Sequence, residues 1–182
     1  PVLERAFSQK SGLGFFGKNT MIIHPKKGSF FFLGELLLSK RIHIPSEPIT
    51  NHCGQCTRCL KACPTDAIVS PFKIDARKCI SYLTIEHFGA IPIEYREAIG
   101  NRIFGCDDCQ IVCPWNRFAV DLTTKDFFPR HKLDSSTLLE LFNWTEAEFL
   151  KKTEGSPIRR LGYYRWLRNL SVGIGNSPYS DE

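Results

Sequence analysis

From Cys53 to Pro64 the chain reads CGQCTRCLKACP, which places four cysteines in the order C-x2-C-x2-C-x3-C-P. This is the bacterial-type arrangement for [4Fe-4S] clusters, in which the first three thiolates bind one cubane and the fourth reaches across to another. A second group follows in Cys106, Cys109 and Cys113-Pro114, repeating the C-x2-C-x3-C-P portion, and Ile103 stands where its first cysteine would fall. Cys79 is the one cysteine left to complete it. The eight then divide into Cys53, Cys56, Cys59 and Cys113 for one cluster and Cys63, Cys79, Cys106 and Cys109 for the other. Two zinc sites of four cysteines each are the rival, since zinc also uses C-x2-C pairs. Zinc, however, needs neither a third cysteine at the next interval nor a proline behind both terminal cysteines. Leu60, Ile68, Ile80, Ile111 and Val112 are expected to keep water from the clusters, a shell that tunes their potential. Such clusters move single electrons, so alone they define a carrier and no particular reaction.

The rest of the chain has to position these loops. Its 182 residues suffice for one ordinary domain or two small ones, and 42% hydrophobic content is in the globular range. No stretch reads as a signal peptide, and the cysteines sit in ligand-type groups, which points to a reducing, cytoplasmic compartment and away from disulfides. The most apolar run, FFFLGELLL from Phe30, carries Glu35 and falls short of the roughly 20 residues that span a bilayer. The formal charge of +5 is mildly basic and permits an acidic partner. The chain starts without Met and is read as an internal piece of a longer protein.

A helix is expected over 2–10, a glycine-rich loop over 12–19, and a hairpin of strands 20–24 and 29–33 around PKKG. A proline-punctuated linker over 45–50 leads into the cysteine region. Beyond Asp121 the pattern turns helical. SSTLLELF is expected to open on a serine cap, Thr145 with Glu148 forms a capping box, and Ser156-Pro157 opens a final helix. GLGFFG, with Gly12, Gly14 and Gly17, matches a dinucleotide fingerprint, and Gly12 to Lys18 matches the start of a P-loop. Both need a strand before the loop and a helix after it. Here the order is reversed and Asn19 replaces the Ser or Thr, which leaves a tight helix-to-strand turn or close approach to a bulky cofactor.

Several stretches together resemble the epoxyqueuosine reductases: PVLERAF, GLGFFGKNTMII, GSFFFLGELL, HCGQCTRCLKACPTDAI, ARKCISYLTIEHFGAIP, GNRIFGCDDCQIVCPWNRFA and GSPIRRLGYYRWLRN. The resemblance covers nearly the whole chain and includes the irregular Cys79. It implies an α+β fold with three parts: the C-terminal part of a nitroreductase-like cobalamin domain over 1–46, a ferredoxin-like module with two [4Fe-4S] clusters over 47–120, and the start of HEAT-like helical repeats over 121–182. It also implies reduction of epoxyqueuosine to queuosine at the wobble position of tRNA, electrons passing through both clusters to cobalamin. Its catalytic Asp would lie upstream of Pro1, so no residue of this chain is named as general acid.

The same resemblance makes Lys18, Asn19, Ile23, Gly34, Leu37, Phe72, His87 and Arg96 candidates for cobalamin contact. Core packing would equally suit Ile23 and Leu37, and a surface or capping role would suit His87. Arg159, Arg160, Arg165 and Arg168, interleaved with Tyr163, Tyr164 and Trp166, are candidates for tRNA, because arginines with stacking rings suit a folded stem and its unstacked loop. A solvated helix face would carry the same charges. The implied partners are the modified tRNA and a low-potential electron donor, with no membrane, for a chain acting as a monomer. A cobalamin-dependent reductive dehalogenase and a stand-alone electron carrier are the alternatives; the basic aromatic tail disfavours the first and GLGFFGKNT the second.

Overall fold

The computed structural model describes residues 3–43, 47 and 49–178. They form two compact units that do not follow chain order: Pro1–Asp75 with Asp107–Asp121, and Ala76–Cys106 with Leu122–Glu182. Part of the expected linker over 45–50 lies outside the described residues, as does residue 2 of the first expected helix. Among the described residues no helix is long and apolar enough to cross a membrane.

The first unit opens with helix α1 (Glu4–Lys10), followed by strands β1 (Phe15–Phe16) and β2 (Ile22–Ile23). The two strands pair antiparallel, Phe15 opposite Ile23 and Phe16 opposite Ile22. This corrects the expected hairpin. PKKG does turn the chain, closed by a bridge between His24 and Gly28, but 29–33 forms no strand. The partner of β2 comes instead from inside the glycine-rich loop, where the two strands approach so closely that a Cβ on Gly14 would sit 2.6 Å from the Ile23 carbonyl oxygen. Phe15 and Ile23 are buried at 0% and 1% exposure, so β pairing places their side chains in the core of this unit.

Three short elements carry the cysteine loops of this unit: helices α2 (Arg58–Lys61) and, later in the chain, α5 (Asp108–Ile111), which pack together, and a small sheet of β3 (Ile68–Ser70) with β4 (Lys73–Ile74). The His24–Gly28 turn is fastened to the segment after α5. Asn116 Oδ1 accepts the Ser29 amide at 2.6 Å, Asn116 Nδ2 donates to the Gln110 carbonyl at 2.6 Å, and the Ser29 hydroxyl donates to Gln110 Oε1 at 3.0 Å. Gly28, at φ 72°, leaves room for this network: a Cβ there would lie 2.1 Å from Asn116 Oδ1.

The second unit is helical: α3 (Ile80–Ile85), α4 (Ile93–Ile99), α6 (Leu138–Phe142), α7 (Glu146–Lys152) and α8 (Tyr163–Gly175). Trp166, Leu170 and Gly173 recur on one face of α8 at helical spacing and are buried. Around them Leu141, Trp144, Phe149 and Leu161 form one cluster, with Trp144 stacked on Trp166 at 5.6 Å. Ile80, Leu83, Ile91 and Ile99 form a second cluster. Asn169, 1% exposed, donates to the carbonyls of Thr84 and Ile103 at 2.7 and 2.8 Å, so a buried amide ties α3 and the loop at Ile103 to α8.

The Thr145–Glu148 capping box is present as expected. The α6 cap is Thr137, not a serine, because Glu140 stands three residues after Thr137 and completes a second box. Ser156 caps as expected and Pro157 opens the turn, but Pro157–Leu161 is a 3-10 turn. The long helix starts only after Gly162, which has φ 77°.

Candidate metal centre

The first cysteine run folds as a turn followed by one turn of helix. The Cys56 amide bonds the Cys53 carbonyl at 3.1 Å, with Gly54 between them at φ 50°, and Cys59 lies within α2. In the second run Cys113 precedes the 3-10 turn Pro114–Phe118, its amide bonding the Gln110 carbonyl at 3.0 Å. Because α2 packs on α5, these local turns bring Cys53, Cys56, Cys59 and Cys113 around one cavity of about 130 Å³. That is roughly ten times the space one water needs, room for a multi-atom group. None of the eight cysteines is paired in a disulfide, and each is partly buried. Among the described residues no three Cys, His, Asp or Glu side chains are gathered tightly enough to hold a single ion.

Burial is the main cause that raises the Cys59 thiol above its ordinary pKa, with neighbouring Cys53 adding to it and the Leu60 amide opposing it. Burial likewise raises Cys113, opposed by the Trp115 amide. The protein alone therefore disfavours thiolates here. Bound iron would supply the missing positive charge, and amides pointing at sulfur are the hydrogen bonds by which a protein tunes a cluster. The four-cysteine cage fits a [4Fe-4S] group by its donor set, its room and its amides.

Lys18 and Asn19 brace this cage from both sides. Lys18 Nζ donates to the Gly54 and Cys56 carbonyls at 2.6 and 3.0 Å, and Asn19 Nδ2 donates to the Cys109 carbonyl at 3.1 Å. Ile23 lines the same cavity, as do His52 and Trp115. The sequence reading missed these two rings, although each lies within two positions of a cysteine. They pack with Phe15, ring centroids 5.4 and 5.6 Å away. Phe72 joins through its amide, which bonds the Lys18 carbonyl at 3.0 Å, and its side chain is half exposed. Gly34 and Leu37 stand apart: no atom comes within 4 Å of a Cβ built on Gly34, and Leu37 is 93% exposed.

The remaining cysteines divide between the units. In the first, Cys63 Sγ accepts the Ala67 amide at 3.2 Å and Cys109 lies in α5. In the second, Cys79 stands at the N-terminal boundary of α3 without a side-chain capping bond, and Cys106 packs against the cluster of Ile80, Leu83, Ile91 and Ile99. Of the expected apolar shell, Ile68 and Ile80 are buried, whereas Ile111 is 68% exposed.

The second unit also sorts the basic residues. Arg168 spends its guanidinium on the carbonyls of Leu83, His87 and Gly89 and on Asn169 Oδ1, at 2.6–3.0 Å. Arg165 donates to the Ile85, Leu161 and Arg160 carbonyls and lies 4.5 Å over the Phe88 ring. Both brace the loop after α3. Trp166 is fully buried, so the expectation of a ring offered to a nucleobase is corrected at that position. Arg159, Arg160 and Tyr164 are exposed, with Arg160 paired to Glu86. His87 Nε2 lies 3.1 Å from the Ala90 carbonyl, and Arg96 Nε donates to the Ile91 carbonyl at 2.9 Å.

Residues 52–116 match the family of 4Fe-4S double cluster binding domains, which supports two clusters over two zinc sites. The chain is similar along 98% of its length to the epoxyqueuosine reductase of Pseudomonas aeruginosa, with 60% identity over 178 residues, and covers 49% of that protein. With the Escherichia coli epoxyqueuosine reductase it shares 54% identity over 181 residues, covering 48%. The chain thus spans about half the length of the curated relatives it matches. Among solved structures, epoxyqueuosine reductase with a tRNA-Tyr epoxyqueuosine-modified tRNA stem loop superposes with TM-score 0.83 at 35% identity, over 95% of this chain and 46% of that one. The Streptococcus thermophilus epoxyqueuosine reductase superposes with TM-score 0.79 at 30% identity, over 96% of this chain and 45% of that one.

Proposed function

We propose, for a chain that matches epoxyqueuosine reductases from end to end, that it is the electron-supplying part of such an enzyme, reducing epoxyqueuosine in tRNA to queuosine. The reaction removes the epoxide oxygen as water and consumes two electrons and two protons. The observation that carries this reading is the cage of Cys53, Cys56, Cys59 and Cys113 within the matched double-cluster segment. We assign the second cluster to Cys63, Cys79, Cys106 and Cys109, by the cysteine spacing and the count that leaves none spare.

In this reading residues 1–46 belong to a nitroreductase-like cobalamin domain, 47–120 to the cluster module and 121–182 to the start of HEAT-like repeats, in the cytoplasm. Cobalamin, when bound, supplies a reducible metal centre to which the clusters pass electrons one at a time. Residues from Phe31 to Leu37 suit a bulky apolar neighbour: Phe32, Leu36 and Leu37 are 84%, 89% and 93% exposed, and the open space beside Gly34 permits close approach. Lys18, Asn19, Ile23 and Phe72 stay candidates on the cluster side, and His87 and Arg96 on the loop after α3. For tRNA the reading rests on Arg159 and Arg160, which are exposed, while Arg165 and Arg168 hold the fold beneath them.

Mass spectrometry of tRNA nucleosides tests the proposal. The whole protein with its clusters and cobalamin converts epoxyqueuosine to queuosine, and Cys113→Ser abolishes the conversion. Unchanged epoxyqueuosine with the fully loaded wild-type protein would overturn it.

A further inference from the structure

On the outer side of Cys113 the first unit opens into a groove of about 930 Å³ that the cage itself does not use. Arg58, Lys61 and Arg117 stand around it, all exposed, and no acidic residue lines it. Phe30 and Ile111 offer apolar surface within it, 46% and 68% exposed. Cys113 therefore lies on two spaces at once, the cage and this groove. The backbone that shapes the groove is held by the Asn116–Gln110–Ser29 network, so the surface is preformed.

Three cations around an apolar patch, with a cluster ligand at the bottom, combine the features of a transient redox interface. Opposite charge steers a partner in, a small apolar centre lets it seat, and weak contact lets it leave. We infer that this groove docks a small acidic one-electron carrier protein that reloads the Cys53/Cys56/Cys59/Cys113 cluster. The inference rests on the proposed function only in taking that cage to hold a cluster needing electrons from outside. Each encounter oxidises the carrier by one electron and reduces the cluster by one, with no bond made or broken, and two encounters supply one substrate turnover. RNA is also acidic, but a carrier alone gains from proximity to Cys113, and RNA gains nothing from the exposed Ile111 at the groove.

The test is stopped-flow reduction of the whole protein, loaded with its clusters, by an acidic [2Fe-2S] ferredoxin reduced in advance, and separately by reduced methyl viologen. Lys61→Glu with Arg117→Glu leaves all eight cysteines and the cage lining in place. The expected result at low salt is a fall of roughly tenfold or more in the ferredoxin rate, within the range that steering provides. That difference vanishes toward 1 M salt, where charges are screened beyond about 3 Å. Cationic methyl viologen should reduce the variant as fast as the wild type or faster, a reversal that damage to the cluster cannot produce. Calorimetry with oxidised ferredoxin should show weaker binding to the variant. Wild-type reduction by methyl viologen reports the cluster independently, so its absence speaks against the cage and not against the dock. An unchanged ferredoxin rate, equal slowing of both reductants, or loss of tRNA binding with the ferredoxin rate intact would each overturn the inference.

Discussion

Asn19, 2% exposed, donates its side-chain amide to the carbonyl oxygen of Cys109 at 3.1 Å, while its own Oδ1 accepts the Met21 amide at 3.2 Å. One buried side chain thereby fixes the turn before β2 and a segment 90 residues away. Asn19→Asp keeps the acceptor and loses the donor, leaving the Cys109 carbonyl facing a carboxylate. The expected loss is about 1–3 kcal/mol, that of a buried group left without its partner. Thermal unfolding of the loaded protein should show a lower midpoint, and bleaching under an iron chelator should be faster. Wild-type behaviour in both measurements would show that the contact does not hold the cage.

The two cysteine sets should come apart under mutation. Reconstituted protein is expected to carry eight irons and eight acid-labile sulfides per chain. Cys79→Ala should disturb one cluster and spare the other, because the cavity of Cys53, Cys56, Cys59 and Cys113 does not include Cys79. Iron analysis with electron paramagnetic resonance of the reduced variant should leave one intact four-iron signal. If both clusters survive unchanged, Cys79 is not a ligand.

What was legible in the sequence and what was not divides along physical lines. Cysteine spacing was readable because each run folds through local turns, and the box at Thr145 and Glu148 because its partners lie three residues apart. At α6 the serines drew attention, yet only Thr137 has a glutamate at the third position. The bond from Lys18 to Gly54 spans 36 residues and leaves no local pattern. Charge alone also failed to separate Arg168, committed to interior carbonyls, from Arg159 on the surface. The pairing of β1 with β2 was hidden because two residues of strand lie between glycines that read as loop.

Acid should loosen the helical unit at its caps. The Thr137 backbone and side chain hold the Glu140 carboxyl below its ordinary value of 4.5, and Thr145 does the same to Glu148. With the folded pKa below the unfolded one, the stabilisation is complete above about 4.5 and is lost as pH falls through the lower folded values. Thr137→Val with Thr145→Val removes the hydroxyls that cap both helices, so it should lower the unfolding midpoint at neutral pH. The gap from wild type should narrow on acidification. A gap that is constant down to strongly acidic pH would show that the carboxyls take no part.

Arg159 and Arg168 should respond oppositely when each is replaced by alanine. Arg168 is pushed below its usual pKa chiefly by burial and then by neighbouring Arg165, and its donors are spent on Leu83, His87, Gly89 and Asn169. Arg168→Ala should therefore cost stability, at least the roughly 1.5–3 kcal/mol of one charged hydrogen bond, and any effect on tRNA should follow from disorder of the loop after α3. Arg159 is exposed on the turn before α8. If it meets a phosphate, Arg159→Ala leaves the unfolding midpoint unchanged and weakens binding to all tRNAs about equally. It also flattens the logarithmic salt dependence by about 0.7–0.9, the counterion release of one contact. Filter binding across a salt series, paired with thermal unfolding of each variant, separates the two roles. An unchanged slope for Arg159→Ala would remove that residue from the RNA interface, and an unchanged unfolding midpoint for Arg168→Ala would show that its interior bonds are dispensable.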